Sequence, residues 1–141
     1  MLKWKLLAVL GLAFGVAGIG WGYAQQQTFP GFYELRIYKA QPKGVQTTVK
    51  TTWADRMTTT VEYPANYDGK DYPVEGSRDV DAVVLSRMDD FTSAATLKHA
   101  GKEIGVARRV VSPDGKTMTI SYKGINTRGD LVDNVAVYDR Q

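Results

Sequence analysis

From residue 32 onwards the chain alternates apolar and polar positions with a period of two. In FYELRIYK, Tyr33, Leu35 and Ile37 fall on one face, opposite Glu34 and Arg36. VQTTVKTTW, RMTTTVEY and TMTISYK repeat this pattern, and their residues are largely β-branched or aromatic. Such alternation is typical of half-buried strands. NVAVYD, near the end, is apolar on both faces over part of its length, which indicates a central strand.

Turn-forming residues separate these segments at short intervals. Asp68-Gly69 is a hairpin signal, because glycine adopts positive φ at little cost. SPDGK at residues 112–116 combines a proline that fixes φ, an aspartate that bonds the backbone and a glycine for the left-handed position. No segment after residue 24 has the apolar periodicity of a helix. We therefore predict eight or nine strands in an all-β, antiparallel up-and-down meander forming a small lipocalin-like barrel, with a two-sheet sandwich as the alternative.

The first 24 residues follow a different pattern. Lys3 and Lys5 precede residues 6–24, which carry no charge. A positive flank before an apolar stretch inserts with its N-terminus inside and directs the following domain outward. We predict an N-terminal apolar helix at residues 1–24, a linker at residues 25–31 and an extracytoplasmic β domain at residues 32–141, on the periplasmic side of a bacterial inner membrane.

Two interpretations of this leader stay open. Cleavage as a signal peptide near Ala24 is favoured by small residues before the polar QQQ and would give a soluble periplasmic or secreted protein. Retention as a transmembrane anchor is favoured by nineteen uncharged residues, about 28 Å of helix. Aromatic residues near both ends would suit the two headgroup zones, and paired glycines would permit helix packing. These anchor residues are Trp4, Trp21, Tyr23, Gly11, Gly15, Gly18 and Gly22.

The charge balance excludes one class of partner. The net charge is +3, but two of the lysines lie in the leader and all 15 acidic residues follow it. The remaining domain is therefore close to neutral, which does not suit nucleic-acid binding. Cysteine is absent, which rules out disulfides, thiol catalysis and a lipoprotein anchor.

No set of residues predicts catalysis, a metal site or a cofactor. His99 is the only histidine and lies between lysines in a predicted turn. Asp68, Asp71, Glu75, Asp79 and Asp81 are close in sequence but lack calcium-loop spacing. In ARRVV, Arg108 and Arg109 fall on opposite faces of a strand, so one of them faces inward or towards an edge. An inward arginine needs a carboxylate or an anionic ligand, so Arg108, Arg109 and Tyr122 are candidates for a ligand site or an internal ion pair.

Three segments, YDGKDYPVEG, RVVSPDGKTMTISYKG and NVAVYDRQ, resemble small exported bacterial β proteins, mostly of unassigned function. The hairpin and last strand also resemble the C-terminal strands of lipocalin and fatty-acid-binding-protein folds. The resemblance spans residues 66–141 and implies topology, without the lipocalin G-x-W near the first strand. Two functions follow as expectations. One is a non-enzymatic accessory subunit that docks on a membrane complex through the N-terminal helix. The alternative is a soluble periplasmic carrier of a small apolar ligand.

Overall fold

The computed structural model describes residues 1–11 and 33–141, which form one antiparallel sheet. Its order is β4-β3-β2-β1-β10-β9-β8-β7-β6-β5, so consecutive strands are adjacent from β1 to β4 and from β5 to β10, and β1 also pairs with β10. The strands are β1 (Leu2–Gly11), β2 (Tyr33–Gln41), β3 (Gly44–Thr52), β4 (Thr58–Asn66), β5 (Asp71–Pro73), β6 (Ala82–Arg87), β7 (Thr92–His99), β8 (Lys102–Val111), β9 (Thr117–Ile125) and β10 (Leu131–Arg140).

The sheet curls into a nearly closed barrel. The two ends of the sheet meet where Glu62 of β4 forms an isolated antiparallel bridge with Glu75, two residues after β5. Each residue donates its backbone N–H to the other's carbonyl, at 3.0 and 2.8 Å. Closure removes free strand edges that would otherwise leave backbone groups unpaired. The up-and-down meander and the barrel are confirmed, and the nine strands within residues 33–141 match the predicted number.

The core is the inner face of this barrel. Val83, Leu85 and Met118 are almost completely buried, and aromatic residues from several strands fill the spaces between them. The buried cluster comprises Trp4, Tyr38, Val45, Tyr63, Ala65, Val83, Leu85, Ala95, Met118, Ile120 and Tyr138. Burial of this apolar surface is the main force that closes the sheet.

The turns follow the predicted chemistry. Gly69 and Gly115 have φ of 73° and 67°. The Asp114 carboxylate accepts hydrogen bonds from the Lys116 N–H and the Ser112 hydroxyl, at 3.0 and 2.6 Å. Ala100, in the two-residue β7–β8 turn, has a positive φ of 49° that is unfavourable for a residue with a Cβ.

The N-terminus differs from the sequence-based expectation. Leu2–Gly11 is a strand between β2 and β10, so residues 6–11 do not belong to a helix. Residues 2–5 pair with β2 and residues 4–11 pair with β10, and the apolar residues of this segment suit a sheet as well as a helix. Residues 12–24 and the predicted linker at residues 25–31 lie outside the described residues. Among the residues that the structure describes, no helix has the length and apolar character needed to cross a bilayer.

Replacing Ala100 tests the cost of the β7–β8 turn. Asn-Gly is favoured where both central residues have positive φ, so Ala100→Asn is expected to stabilise the protein by about 0.5–1 kcal/mol. The backbone N–H of Ala100, which donates to Asp81 Oδ2 at 2.6 Å, is unaffected by this substitution. Urea unfolding monitored by circular dichroism measures the difference. Ala94→Asn, within β7, is the control and should not stabilise; equal effects at both positions would contradict the prediction.

Candidate functional site

Two cavities open at opposite ends of the barrel. The first, of about 580 Å³, lies at the end formed by the β9–β10 turn, and its apolar wall includes Val61, Leu97, Ile104, Ile120, Val132 and Ala136. The second, of about 770 Å³, lies at the end formed by the β2–β3 and β6–β7 turns, and its wall includes Trp4, Tyr38, Tyr67, Phe91 and Met118. Both volumes fall in the range of small-molecule pockets.

Polar residues of β2 face the barrel interior. Glu34 and Arg36 line the first cavity and Tyr38 lines the second, so this strand directs its polar face inward. Arg36 Nε donates to Glu34 Oε1 at 2.8 Å and to the Tyr138 hydroxyl at 3.0 Å. The Tyr138 hydroxyl in turn donates to Glu34 Oε1 at 2.7 Å. We call Glu34, Arg36 and Tyr138 the interior triad; its carboxylate and guanidinium neutralise each other.

Burial and charge both act on the interior triad. Burial raises the pKa of Tyr138, and the Glu34 carboxylate raises it further, against the opposing effect of Arg36. Burial opposes the charge of Arg36, but Tyr138 and Glu34 outweigh it and raise the pKa of the guanidinium well above its usual value. The triad therefore holds a neutral phenol and an ion pair at neutral pH, which favours a structural and binding role over proton transfer.

Arg109 on β8 also faces inward. Its guanidinium stacks on the Tyr38 ring, 4.4 Å from the centroid, and its side chain lines both cavities. Arg109 Nε is inaccessible to solvent and has no hydrogen-bond partner. Among the described residues, no carboxylate forms an ion pair with Arg109. The residue as a whole is half-buried, and stacking on a ring compensates part of the cost of removing its charge from water.

Two further buried polar atoms lack partners, and one of them belongs to Tyr38, on whose ring Arg109 stacks. The Tyr38 hydroxyl and the Thr47 hydroxyl are inaccessible to solvent and lack hydrogen-bond partners. Tyr38 is only 6% exposed, and Thr47 is fully buried. The two residues face each other across β2 and β3. Burial opposes the charge of Arg109, but Tyr38, Tyr63 and Tyr67 keep its pKa above the usual value. We call Arg109, Tyr38 and Thr47 the unpaired polar group. Buried donors without partners are rare in folded proteins, and such atoms often mark a ligand or ion.

The structure separates the residues that the sequence grouped as a candidate ligand site. Arg109 is inside the barrel, whereas Arg108 is exposed on the outer face of β8. Tyr122 lines the first cavity, and its hydroxyl donates to the carbonyl oxygens of Ile104 and Ile125, both at 3.3 Å. Gly105 and Gly124 pair across β8 and β9, and a Cβ on either would overlap this hydroxyl. The glycine pair therefore makes room for the Tyr122 side chain.

Of the residues predicted to anchor the chain in a membrane, the structure describes two. Trp4 is 2% exposed and belongs to the barrel core, and Gly11 is the last residue of β1. Gly15, Gly18, Trp21, Gly22 and Tyr23 lie outside the described residues. The sequence-based interpretation missed Glu34, Arg36, Tyr38 and Thr47. Because β2 alternates regularly, the pattern identified its two faces, but it gave no sign that the charged face was the inner one.

Comparison of the chain with protein-family models, curated proteins and solved structures finds no match. The resemblance of residues 66–141 to exported β proteins and to lipocalin-type strands therefore stays a prediction. Within the described residues, no group of three or more histidine, cysteine, aspartate or glutamate side chains is arranged to hold a metal ion.

Because the pKa of Tyr138 is raised in the folded protein, the free energy of unfolding is expected to decrease at alkaline pH. An ordinary tyrosine ionises near pH 10, so the unfolded chain loses this proton at lower pH than the folded chain. The stabilising effect is complete below about pH 10 and is lost as the pH rises above it, at up to about 1.4 kcal/mol per pH unit. Tyr138→Phe is expected to lower stability at pH 7 by about 1–2 kcal/mol, because Glu34 and Arg36 each lose a hydrogen bond.

Urea unfolding between pH 7 and pH 11 measures both effects. The Tyr138→Phe protein should lose stability less steeply above pH 10 than the unmodified protein. Tyr33→Phe is the matched control, because Tyr33 is 43% exposed, and should keep the original pH dependence. A Tyr138→Phe protein with an unchanged alkaline slope would show that the triad does not shield this phenol.

Proposed function

We propose that this protein is a non-enzymatic binding protein that holds a small amphiphile inside the barrel. The apolar body of the ligand occupies the first cavity, and its anionic group lies against Arg109. The unpaired Arg109 guanidinium is the observation that carries this proposal. A protein that needed Arg109 only for stability would gain by giving it a carboxylate partner, as Arg36 has in Glu34.

The composition of the cavity wall supports a mainly apolar ligand. Aliphatic side chains from β4, β7, β9 and β10 form most of the first cavity, and the interior triad contributes no net charge. A neutral apolar molecule would fill the cavity but leave Arg109 without a partner. A ligand with one negative charge would supply the missing acceptor, and the hydroxyl of Tyr38, which lines the second cavity beside Arg109, is a further donor.

Paired ligands of equal length test the role of the charge. Dodecanoate and dodecanol differ at the head group, and displacement of a fluorescent fatty acid measures the affinity of each. Dodecanoate should bind more tightly, and Arg109→Gln should weaken its binding by about tenfold to a hundredfold, because hydrogen bonds to a charged group contribute about 1.5–3 kcal/mol. Dodecanol binding should change little in this variant.

Arg108→Gln is the matched control, since Arg108 is the adjacent residue on the outer face. It removes the same charge from the protein and should leave dodecanoate affinity unchanged. Arg109→Gln should also be at least as stable as the unmodified protein without ligand, because it removes a half-buried charge that has no carboxylate partner among the described residues. Equal losses of dodecanoate binding in the two variants, or marked unfolding of Arg109→Gln alone, would contradict the proposal.

The second candidate is an accessory subunit of a membrane complex, located on the periplasmic side of the inner membrane. It is favoured by the order of two lysines followed by uncharged residues 6–24. This role requires residues 6–11 to leave the barrel, because they form part of β1 in the structure. The two candidates are compatible if the domain at residues 32–141 binds its ligand while the leader lies in the bilayer.

Fractionation of cells that produce the full chain tests the membrane candidate. An anchored protein should stay in the membrane after carbonate extraction, with an intact mass that includes residues 1–24. A cleaved protein should appear in the soluble periplasmic fraction with the mass of residues 25–141. A soluble protein of full-length mass would contradict both anchoring and cleavage.

A further inference from the structure

The second cavity has a different wall from the first. Four aromatic side chains line it, and they belong to Trp4, Tyr38, Tyr67 and Phe91. They come from β1, β2, the residue after β4 and the β6–β7 turn. The first cavity has three tyrosines but is bounded mainly by aliphatic side chains. The second cavity therefore offers a planar ring more of the offset and edge-to-face contacts that aromatic groups prefer.

The two cavities also differ in charge. Basic residues outnumber acidic ones by four to two in the wall of the second cavity, and these are Lys43, Arg87, Arg109 and Arg140 against Asp89 and Asp90. In the wall of the first cavity two arginines are matched by two carboxylates. A cleft with an excess of one sign of charge raises the local concentration of oppositely charged ligands. The second cavity is thus the more attractive of the two for an anion.

Arg109 and Tyr38 supply donors to this cavity. Arg109 is half-buried, which leaves part of its side chain accessible from the cavities that it lines. Its Nε and the Tyr38 hydroxyl have no hydrogen-bond partner, and the guanidinium lies 4.4 Å from the centroid of the Tyr38 ring. A carboxylate has two acceptor oxygens and forms its strongest hydrogen bonds with a guanidinium. An acidic group on a ligand therefore suits the Arg109 end of the cavity.

Phe91 is fixed at the mouth of the second cavity with its side chain exposed. Its N–H donates to Asp89 Oδ1 at 2.8 Å, and its carbonyl accepts the N–H of Val111 at 2.9 Å. The residue is nevertheless 49% exposed. Tyr67 is held at the same end of the barrel, because its N–H donates to the carbonyl of Lys43 at 3.0 Å. Apolar rings held in place at an opening gain free energy when a ligand covers them.

We propose that the second cavity binds a planar aromatic acid. The ring system lies among Trp4, Tyr67 and Phe91, and the carboxylate lies against Arg109 beside Tyr38. Contacts between rings select a planar ligand over an alkyl chain, and the excess positive charge favours the acid over a neutral analogue. This inference shares Arg109 with the proposed function but rests on the residues of the other cavity. An aromatic acid and an alkyl acid then compete for one guanidinium.

Three ligands of similar size test the site. 2-Naphthoate is the planar acid, 2-naphthalenemethanol lacks the charge, and decahydro-2-naphthoate keeps the charge but has no aromatic ring. Isothermal titration calorimetry on the full chain measures the affinity of each. 2-Naphthoate should bind about tenfold more tightly than either analogue, at one site per chain. Equal affinities of 2-naphthoate and its saturated analogue, or no binding of 2-naphthoate, would overturn the proposal.

Substitutions in the two cavities locate the ligand. Phe91→Ala should weaken 2-naphthoate binding by about threefold to tenfold and leave dodecanoate affinity unchanged, because Phe91 lines the second cavity and not the first. Met88→Ala is the matched control, since Met88 is an exposed residue of the same turn that lines neither cavity. Val132→Ala, in the first cavity, should weaken dodecanoate but not 2-naphthoate. Equal effects of Phe91→Ala and Met88→Ala on 2-naphthoate would rule out the assigned position.

Competition separates this inference from the proposed function. Dodecanoate should displace 2-naphthoate, and Arg109→Gln should weaken both by about tenfold or more. If 2-naphthoate binds with the expected dependence on Phe91 while dodecanoate does not bind, the alkyl ligand is wrong and the aromatic site stands. If dodecanoate binds and 2-naphthoate does not, only the aromatic site is wrong. Simultaneous binding of the two acids would refute a shared guanidinium and with it this inference.

Discussion

A closed sheet has one interior, and each charged side chain directed into it must find a partner there. In this protein β2 sends Glu34 and Arg36 into the barrel and β8 sends Arg109. The first two compensate each other at 2.8 Å, whereas Arg109 stacks on an aromatic ring and has no carboxylate partner within residues 1–11 and 33–141. The proposed ligand site depends on Arg109, which lacks a carboxylate partner among the described residues. The side-chain hydrogen bonds between β2 and β10 depend on the paired Glu34 and Arg36.

The same side chains connect binding to the architecture. The interior triad lines the first cavity and also bonds β2 to β10. A ligand in that cavity would contact the residues that join β2 to β10, so ligand binding would be coupled to the stability of this part of the barrel. Tyr138 is central to both, since its hydroxyl accepts one hydrogen bond and donates another within a buried region.

Much of the architecture was predictable from local pattern. The period of two identified the strands of residues 33–141, and SPDGK and Asp68-Gly69 marked turns that the structure contains. These features depend on neighbouring residues, so a single chain reveals them. The order of the strands followed from the short turns, because consecutive strands joined by few residues pair with each other.

The interior chemistry was less accessible to sequence reasoning. Arg109 was a candidate because it alternates with Arg108, and the structure places the two on opposite faces of β8. The inward direction of Glu34 and Arg36 depends on Tyr138, about a hundred residues away, and no local pattern encodes that contact. Residues 6–11 illustrate another limit: an uncharged stretch is compatible with a helix in a bilayer or with a strand paired to a neighbour, and the surroundings decide between them.

The position of Arg109 on the wall of both cavities would also limit the number of acidic ligands in the proposed site. Entry from either end leads to the same guanidinium, so two anions would compete for one cation even though the volumes are separate. Under the proposed function, the expected stoichiometry for acidic ligands is therefore one per chain, and the orientation of a bound molecule would indicate which opening it used.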